Sequence, residues 1–116
     1  MHMTRRMRCL KMTAVLCGIL LLSPEAALAR EQQSIIIKNH RFYPAKLTVS
    51  SGVKIKLVVD NQDPTPEEFE SYDLNREKMV GGNKTIIVFI GPLKPGTYKY
   101  FGEFHQKTAQ GTIVAE

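Results

Sequence analysis

Carboxylate side chains are concentrated in one short stretch of the chain, where they could bind a metal ion. Asp63, Glu67, Glu68 and Glu70 fall within eight residues. Four such groups repel one another at neutral pH, and a bound cation would relieve that repulsion while gaining hard oxygen ligands. A solvated acidic loop that binds nothing is the alternative interpretation of the same stretch.

A second group of candidate ligands lies near the carboxyl end of the chain. Glu103 and His105 add a carboxylate and an imidazole at the end of an apolar segment. Oxygen and imidazole donors suit iron, manganese, zinc or oxidised copper, whereas reduced copper prefers sulfur. Met79 is more typical of an apolar packing residue than of a ligand, although its thioether would favour copper. His40 is interpreted as a structural or exposed residue.

Other kinds of catalytic chemistry have little support in the sequence. It contains no Gly-x-Ser-x-Gly motif, no phosphate-binding glycine loop and no histidine pair at metalloprotease spacing. A hydrolase built on Glu68 and Glu103 would need a concave pocket, for which a small sandwich offers little room.

Short β-strands are the elements predicted to position these residues. Residues 53–59 alternate between apolar and polar side chains, as a strand with one buried face does. Further strands are predicted at residues 35–38, 46–50, 84–90, 96–101 and 111–115, with 84–90 buried on both sides or central to a sheet. Residues 67–80 show no clear period and are expected to hold one strand with a loop or short helix. The regular turns between these runs predict an all-β, Greek-key β-sandwich formed as one domain by residues 30–116.

Strand alternation predicts which way the candidate ligands face. Phe69 and Phe104 are expected in the core. Four candidates would then share the opposite side of the sheet: Glu68, Glu70, Glu103 and His105. Glu67 would point the same way as Phe69 and could contribute only from the strand end, so the choice between Glu67 and Glu68 stays open.

The first 29 residues have the pattern of a Sec-type signal peptide. A basic start and a short apolar run precede Ala27-Leu28-Ala29, a small-residue cleavage pattern. The apolar run is too short to cross a bilayer as a helix, so no membrane span is expected. Cys9 and Cys17 both fall in this segment. The exported domain would therefore have no thiol for a disulfide, a catalytic cysteine or a thiolate-bound metal.

The charge of the exported domain argues against one class of partner. The whole chain carries a formal charge of +5, but residues 30–116 contain 12 Lys and Arg against 10 Asp and Glu, a net charge of only +2. The basic residues form no dense cluster, so no nucleic-acid partner is expected.

Motifs along residues 30–116 resemble the cupredoxin family from end to end. They are Phe42-Tyr43-Pro44, Val49-Ser50-Ser51-Gly52-Val53, Val59-Asp60-Asn61, Pro95-Gly96-Thr97-Tyr98-Lys99-Tyr100 and Gly111-Thr112-Ile113-Val114. A second set of motifs is similar to the small cupredoxin-like proteins of bacterial Ftr/Efe-type iron uptake systems. This set is Pro66-Glu67-Glu68-Phe69-Glu70-Ser71, Arg76-Glu77-Lys78 and Gly102-Glu103-Phe104-His105 with Thr108-Ala109.

The resemblance implies a metal site at one end of the sandwich. The blue-copper pattern of two histidines, a cysteine and a methionine puts its first histidine on Glu67, its cysteine on Gly102 and its second histidine on His105. Without a thiolate, a blue copper site is excluded for residues 30–116. The implied ligand candidates for copper, iron or both are Glu67, Glu68, Glu70, Met79, Glu103 and His105.

The resemblance also implies a role in periplasmic iron uptake. The expected partners are a periplasmic iron-binding protein, an inner-membrane iron permease and a membrane ferredoxin-like electron acceptor, with the domain itself a monomer or weak dimer. The domain would assist the oxidation or transfer of ferrous iron. Two alternatives are a copper carrier or electron-transfer module without ferroxidase activity, and a metal-free adaptor whose acidic end docks to a basic partner.

Overall fold

The computed structural model describes residues 30–116, so the predicted signal peptide at residues 1–29 lies outside the described residues. The described residues form nine strands and a single-turn 3-10 helix at Glu103–His105. The strands are β1 (Arg30–Lys38), β2 (Arg41–Tyr43), β3 (Lys46–Val49), β4 (Lys54–Asn61), β5 (Glu67–Ser71), β6 (Arg76–Val80), β7 (Thr85–Ile90), β8 (Gly96–Gly102) and β9 (Gln110–Ala115). Within this part of the chain, no helix is both long and apolar enough to cross a membrane.

The strands form two sheets that enclose a common core. The first sheet has the order β2-β1-β4-β7, and the second has the order β3-β9-β8-β5-β6. β1 runs parallel to β4 and β3 runs parallel to β9, whereas the hairpin neighbours are antiparallel. The predicted all-β sandwich is therefore confirmed.

Alternating apolar residues fill the space between the two sheets. In β4, every second side chain from Ile55 onward is buried, because successive residues of a strand face opposite sides of the sheet. Beneath one end of the sandwich, the rings of Phe69 and Tyr100 stack with centroids 5.1 Å apart, and Phe42 meets Tyr100 edge-on at 4.9 Å. These rings support the start of β5, where the candidate ligands lie.

Two of the strand predictions are wrong in detail. Residues 67–80 form a hairpin of two strands, β5 and β6, rather than one strand with a loop or helix. Its turn is closed by local bonds, since Ser71 Oγ accepts the backbone N–H of Leu74 and Asn75 adopts a left-handed conformation with φ 55°. β7 is an edge strand rather than a central one, and Ile87 and Phe89 on its outer side are exposed.

Candidate metal centre

A buried carboxylate lies at one end of the sandwich, where the β1–β2 turn, the start of β5 and the 3-10 helix meet. We call this end the pole and define it by His40, Asp63, Glu67, Gly102 and His105. Glu67 is the first residue of β5 and is only 2% exposed. Its side chain points inward as predicted, and its position at the strand end lets it reach groups of the 3-10 helix.

Three hydrogen bonds hold the Glu67 carboxylate. Oε1 accepts the backbone N–H groups of Glu68 at 2.9 Å and Phe104 at 2.8 Å. Oε2 lies 2.7 Å from Nδ1 of His105. A buried carboxylate needs such partners because desolvation otherwise penalises its charge. The Glu67 side chain is therefore fixed in position. Its bonds to Phe104 and His105 attach the 3-10 helix to the start of β5.

Gly102 makes room for this carboxylate. A Cβ at this position would come within 2.6 Å of Glu67 Cδ and 2.7 Å of Glu67 Oε2, and within 2.7 Å of the Cβ of Ala109. The backbone of Gly102, with φ −96° and ψ 115°, is one that any residue adopts. The requirement for glycine is therefore spatial, and the carboxyl group fills the position where the blue-copper pattern expects a cysteine. This donor set does not fit a blue copper centre.

His105 turns toward Glu67 rather than toward the outer carboxylates, which corrects the prediction that it shares a side with Glu68, Glu70 and Glu103. The 3-10 helix after Gly102 ends the two-residue period of β8, so alternation no longer assigns directions there. For the same reason the prediction that Phe104 lies in the core is wrong. Its side chain is 46% exposed.

His40 belongs to the pole, although its sequence interpretation was a structural or exposed residue. Its ring stacks on the ring of His105, with centroids 3.6 Å apart and planes 12° apart. Asn39 and His40 both adopt left-handed conformations, with φ 54° and 57°. Two adjacent left-handed residues are unusual outside glycine. A signal available in the sequence is Asn39-His40 itself, since Asn and His are enriched in this conformation.

Asp63 holds the His40 turn in place. Its Oδ1 accepts the N–H of Asn39 at 2.8 Å, and its Oδ2 accepts the N–H of His40 at 2.9 Å. Burial alone would raise the pKa of Asp63, but these two backbone bonds and the neighbouring imidazoles outweigh it and lower the pKa. The side chain of Asn61, fully buried, accepts the N–H of Asp63 at 3.0 Å and donates to Thr65 O at 2.8 Å.

Three predicted ligands meet on the outer face of the second sheet. Glu68, Glu70 and Glu103 each offer an oxygen, and these atoms all lie within 4.8 Å of one another. We call these three residues the outer cluster. They are half-buried, so solvent and ions reach them. The side-chain positions follow alternation along β5, as predicted.

Burial and neighbouring negative charges raise the pKa values of two carboxyl groups in the outer cluster. Burial raises the pKa of Glu68, and a hydrogen bond and the charge of Glu77 on β6 raise it further, followed by the charges of Glu70 and Glu103. Burial likewise raises the pKa of Glu70, with further contributions from Glu77 and Glu103. A cation among these groups would remove the repulsion that causes part of both shifts.

Met79 lies opposite Glu68 across the β5–β6 pair. It is 54% exposed, so the packing role suggested by its sequence is wrong. The six predicted ligands thus divide into two groups. Glu67 and His105 meet in the pole, and the remaining four lie on the outer face: Glu68, Glu70, Met79 and Glu103.

Comparison with known proteins gives matches at the level of sequence and of fold. A family model described as a cupredoxin-like domain matches residues 11–115. The uncharacterized protein RP394 of Rickettsia prowazekii (strain Madrid E) is 51% identical over 80 residues, which cover 69% of this chain and 64% of that protein. The match therefore spans just under two thirds of the length of this relative.

Two solved structures illustrate the likeness of fold. Auracyanin A, a "blue" copper protein of Chloroflexus aurantiacus, has a TM-score of 0.66 at 18% identity, covering 76% of this chain and all of that one. The metal-binding domain of the Cu(I)-exporting P-type ATPase CopA of Streptococcus pneumoniae D39 has a TM-score of 0.62 at 13% identity, covering 73% of this chain and 84% of that one. With a family model that matches most of its length, the chain belongs to the cupredoxin-like domain family.

Proposed function

We propose that the domain binds a transition metal near the pole and takes part in periplasmic iron uptake, where it assists the oxidation or transfer of ferrous iron. The observation that carries this proposal is the outer cluster. Glu68, Glu70 and Glu103 offer three carboxylate oxygens close enough to bind one ion. Hard oxygen ligands of this kind suit iron. Because the cluster is half-buried, iron could enter and leave without unfolding of the domain.

The chemistry follows from differential binding. Carboxylates hold ferric iron more strongly than ferrous iron, so they lower the reduction potential of the bound ion and favour loss of one electron. The iron substrate is oxidised by that one electron, and a separate acceptor must be reduced by it. Dioxygen, a copper ion or a partner protein are the classes of acceptor we consider. The chain itself contributes carboxylate ligands and their negative charge.

Copper is the cofactor that the fold suggests, since auracyanin A is a copper protein. The donors present at the pole, the Glu67 carboxylate and the imidazole of His105, fit oxidised copper and not a blue centre. A copper ion there would supply a one-electron redox partner. Binding of copper with electron transfer, but without oxidation of iron, is the second candidate function, favoured by the fold itself.

The proposal also includes a cellular compartment and two partner proteins. Export through the predicted signal peptide would bring the domain to the periplasm. There it would work with a periplasmic iron-binding protein and an inner-membrane iron permease, as its likeness to iron uptake proteins implies. An adaptor that binds no metal is the remaining alternative, with the outer cluster docking to a basic partner.

Oxidation of ferrous iron tests the proposal directly. We would follow ferrous iron and dioxygen with the purified domain, with and without copper, comparing wild type with Glu68→Gln and Glu103→Gln. Each substitution removes one negative ligand while keeping the size of the side chain, so the rate enhancement and the binding of iron should both be lost. Glu31→Gln is the matched control, because it changes a carboxylate on the first sheet, outside the outer cluster.

Growth on scarce iron separates the candidates in the cell. A deletion strain should grow poorly without added iron and recover with the wild-type gene but not with Glu103→Gln. Normal growth on scarce iron combined with loss of copper tolerance would replace the proposal with the copper carrier. Absence of any metal binding by the purified domain would leave only the adaptor.

A further inference from the structure

An apolar band crosses the outer face of the first sheet, on the side away from the core. It consists of five outward-facing side chains that run from β2 to β7: Tyr43, Ile36, Val58, Ile87 and Phe89. Each member lies opposite, diagonal to or two residues along the strand from the next, so the band is continuous across all four strands. Tyr43, Ile87 and Phe89 are 48%, 38% and 43% exposed. Contiguous exposed apolar side chains of this kind mark interaction sites.

Basic side chains lie at both ends of the apolar band. Lys38 and Arg41 form a cross-strand pair at the end nearest the pole. Lys54 and Lys56 lie at the other end, at the start of β4. Asp60 is the single acidic residue among the outward positions of these four strands. The face therefore combines an apolar centre with a net positive charge.

We infer that this face docks reversibly onto an anionic phospholipid surface. Binding at a membrane surface grows with the apolar area that is buried and with the attraction of basic side chains to anionic headgroups. The apolar band supplies the first of these contributions, and its basic ends supply the second. The inference does not depend on the proposed oxidation of iron, because it involves neither the outer cluster nor a metal.

The outer face of the second sheet carries an acidic patch on the opposite side of the domain. There the outer cluster lies next to Glu77, the cross-strand partner of Glu70. Charges of opposite sign on the two faces orient the domain in the field of an anionic surface, with the basic face toward the lipid. The outer cluster then points away from the lipid and stays open to solvent.

A second copy of the chain fits this face less well than lipid does. A twofold contact would bring one apolar band against another. Because both ends of the band are basic, the same contact would place Lys and Arg against Lys and Arg, and like charges at an interface disfavour the pairing.

A protein partner also has weaker support from the structure. The free edge of β7 is partly occupied, since Lys78 Nζ donates to Ile87 O at 3.0 Å and Arg76 Nε donates to Phe89 O at 2.8 Å. An added strand would need those carbonyl groups. Protein partners also anchor large side chains in pockets, and two cavities of the described residues lie elsewhere, against β8 and β9 and beside Glu31. A lipid surface needs neither a free edge nor a pocket.

Co-sedimentation with vesicles tests the inference. Residues 30–116, which contain both sheets and the core between them, are mixed without metal with vesicles of phosphatidylcholine or of an equal mixture of phosphatidylcholine and phosphatidylglycerol. The predicted signal peptide is omitted because its basic and apolar residues would bind lipid themselves. The domain should bind the mixed vesicles in preference to the neutral ones. Binding should be lost at 1 M salt, where the screening length falls to about 3 Å.

Substitutions on the two faces locate the contact. Lys54→Gln and Arg41→Gln should each weaken binding to the mixed vesicles by about fivefold, the contribution of one basic residue near an anionic surface. Lys99→Gln is the matched control, because it removes the same charge from an exposed outward position of the second sheet, and it should bind nearly as wild type does. Ile87→Thr keeps a β-branched residue in β7 and should weaken binding by about twofold to fourfold, through loss of apolar contact.

Several outcomes would overturn the inference. Equal binding to neutral and anionic vesicles would do so, as would equal losses in Lys54→Gln and Lys99→Gln. Sedimentation equilibrium without lipid identifies self-association, and a dimer that Ile87→Thr dissociates, in a protein that binds no vesicles, would assign the face to a second copy. Binding of poly-glutamate without binding of vesicles would assign it to an acidic protein.

Discussion

Replacing Gly102 by Ala tests whether the pole is built around the Glu67 carboxylate. If the new methyl group had free space, Gly102→Ala should increase the stability of the protein. Gly→Ala stabilises by about 0.4–1 kcal/mol where the backbone conformation suits alanine, and the backbone of Gly102 is extended, as any residue allows. The new methyl would instead lie 2.6 Å from Glu67 Cδ and 2.7 Å from the Cβ of Ala109. The structure therefore predicts that Gly102→Ala lowers the stability of the protein.

The size of the effect has two parts. Overpacking of a filled site costs about 1–3 kcal/mol. If Glu67 moves to make room, its hydrogen bonds to the Phe104 N–H and to His105 weaken, which adds about 1–3 kcal/mol for a buried polar group. We expect a total of about 3 kcal/mol, which for a domain of this size corresponds to a fall in Tm of about 12–24 °C.

Thermal and urea unfolding of the metal-free domain measure this change. Gly81→Ala is the control, because its Cβ would meet only the flexible side chain of Lys84, at 3.2 Å, and it should unfold close to wild type. A double variant with Glu67→Ala should recover part of the loss and give a coupling energy of about 0.5–3 kcal/mol. The recovery is partial because Ala109 stays in place. A Gly102→Ala protein as stable as wild type would refute this account of the pole.

Two further predictions concern the outer cluster and the missing thiolate. Because the pKa of Glu68 is raised in the folded state above its ordinary value of 4.5, the folded protein is penalised as pH rises through that raised pKa. Glu68→Gln should therefore increase the stability of the metal-free domain at pH 7 and have less effect near pH ~3, where the carboxyl is largely protonated in both states. Urea unfolding at the two pH values measures this, and an equal effect at both would contradict it. Cu(II) added to residues 30–116 should give no intense visible thiolate band. That band needs a cysteine sulfur, and both Cys9 and Cys17 lie outside this range. A strong blue colour would disprove the prediction.

Local patterns predicted the parts of the site that depend on a single strand. Alternation along β5 put Glu68 and Glu70 on one face and Glu67 with Phe69 on the other, and the structure agrees. The same rule failed after Gly102, because the 3-10 helix ends the pleat that the rule assumes. His105 therefore points toward Glu67 and Phe104 points toward solvent, each opposite to its predicted direction.

The sequence by itself determined the donor chemistry of this protein. Residues 30–116 contain carboxylates, two imidazoles and one thioether but no thiol, so a blue centre was excluded before any fold was known. Alternating apolar residues likewise determined an all-β sandwich, because each strand must bury one face. Only the tertiary structure decided that His40, from the β1–β2 turn, stacks on His105 of the distant 3-10 helix. That contact depends on how the two sheets pack and on Asp63 bonding the turn, and such distant placements leave no periodic signal in the chain.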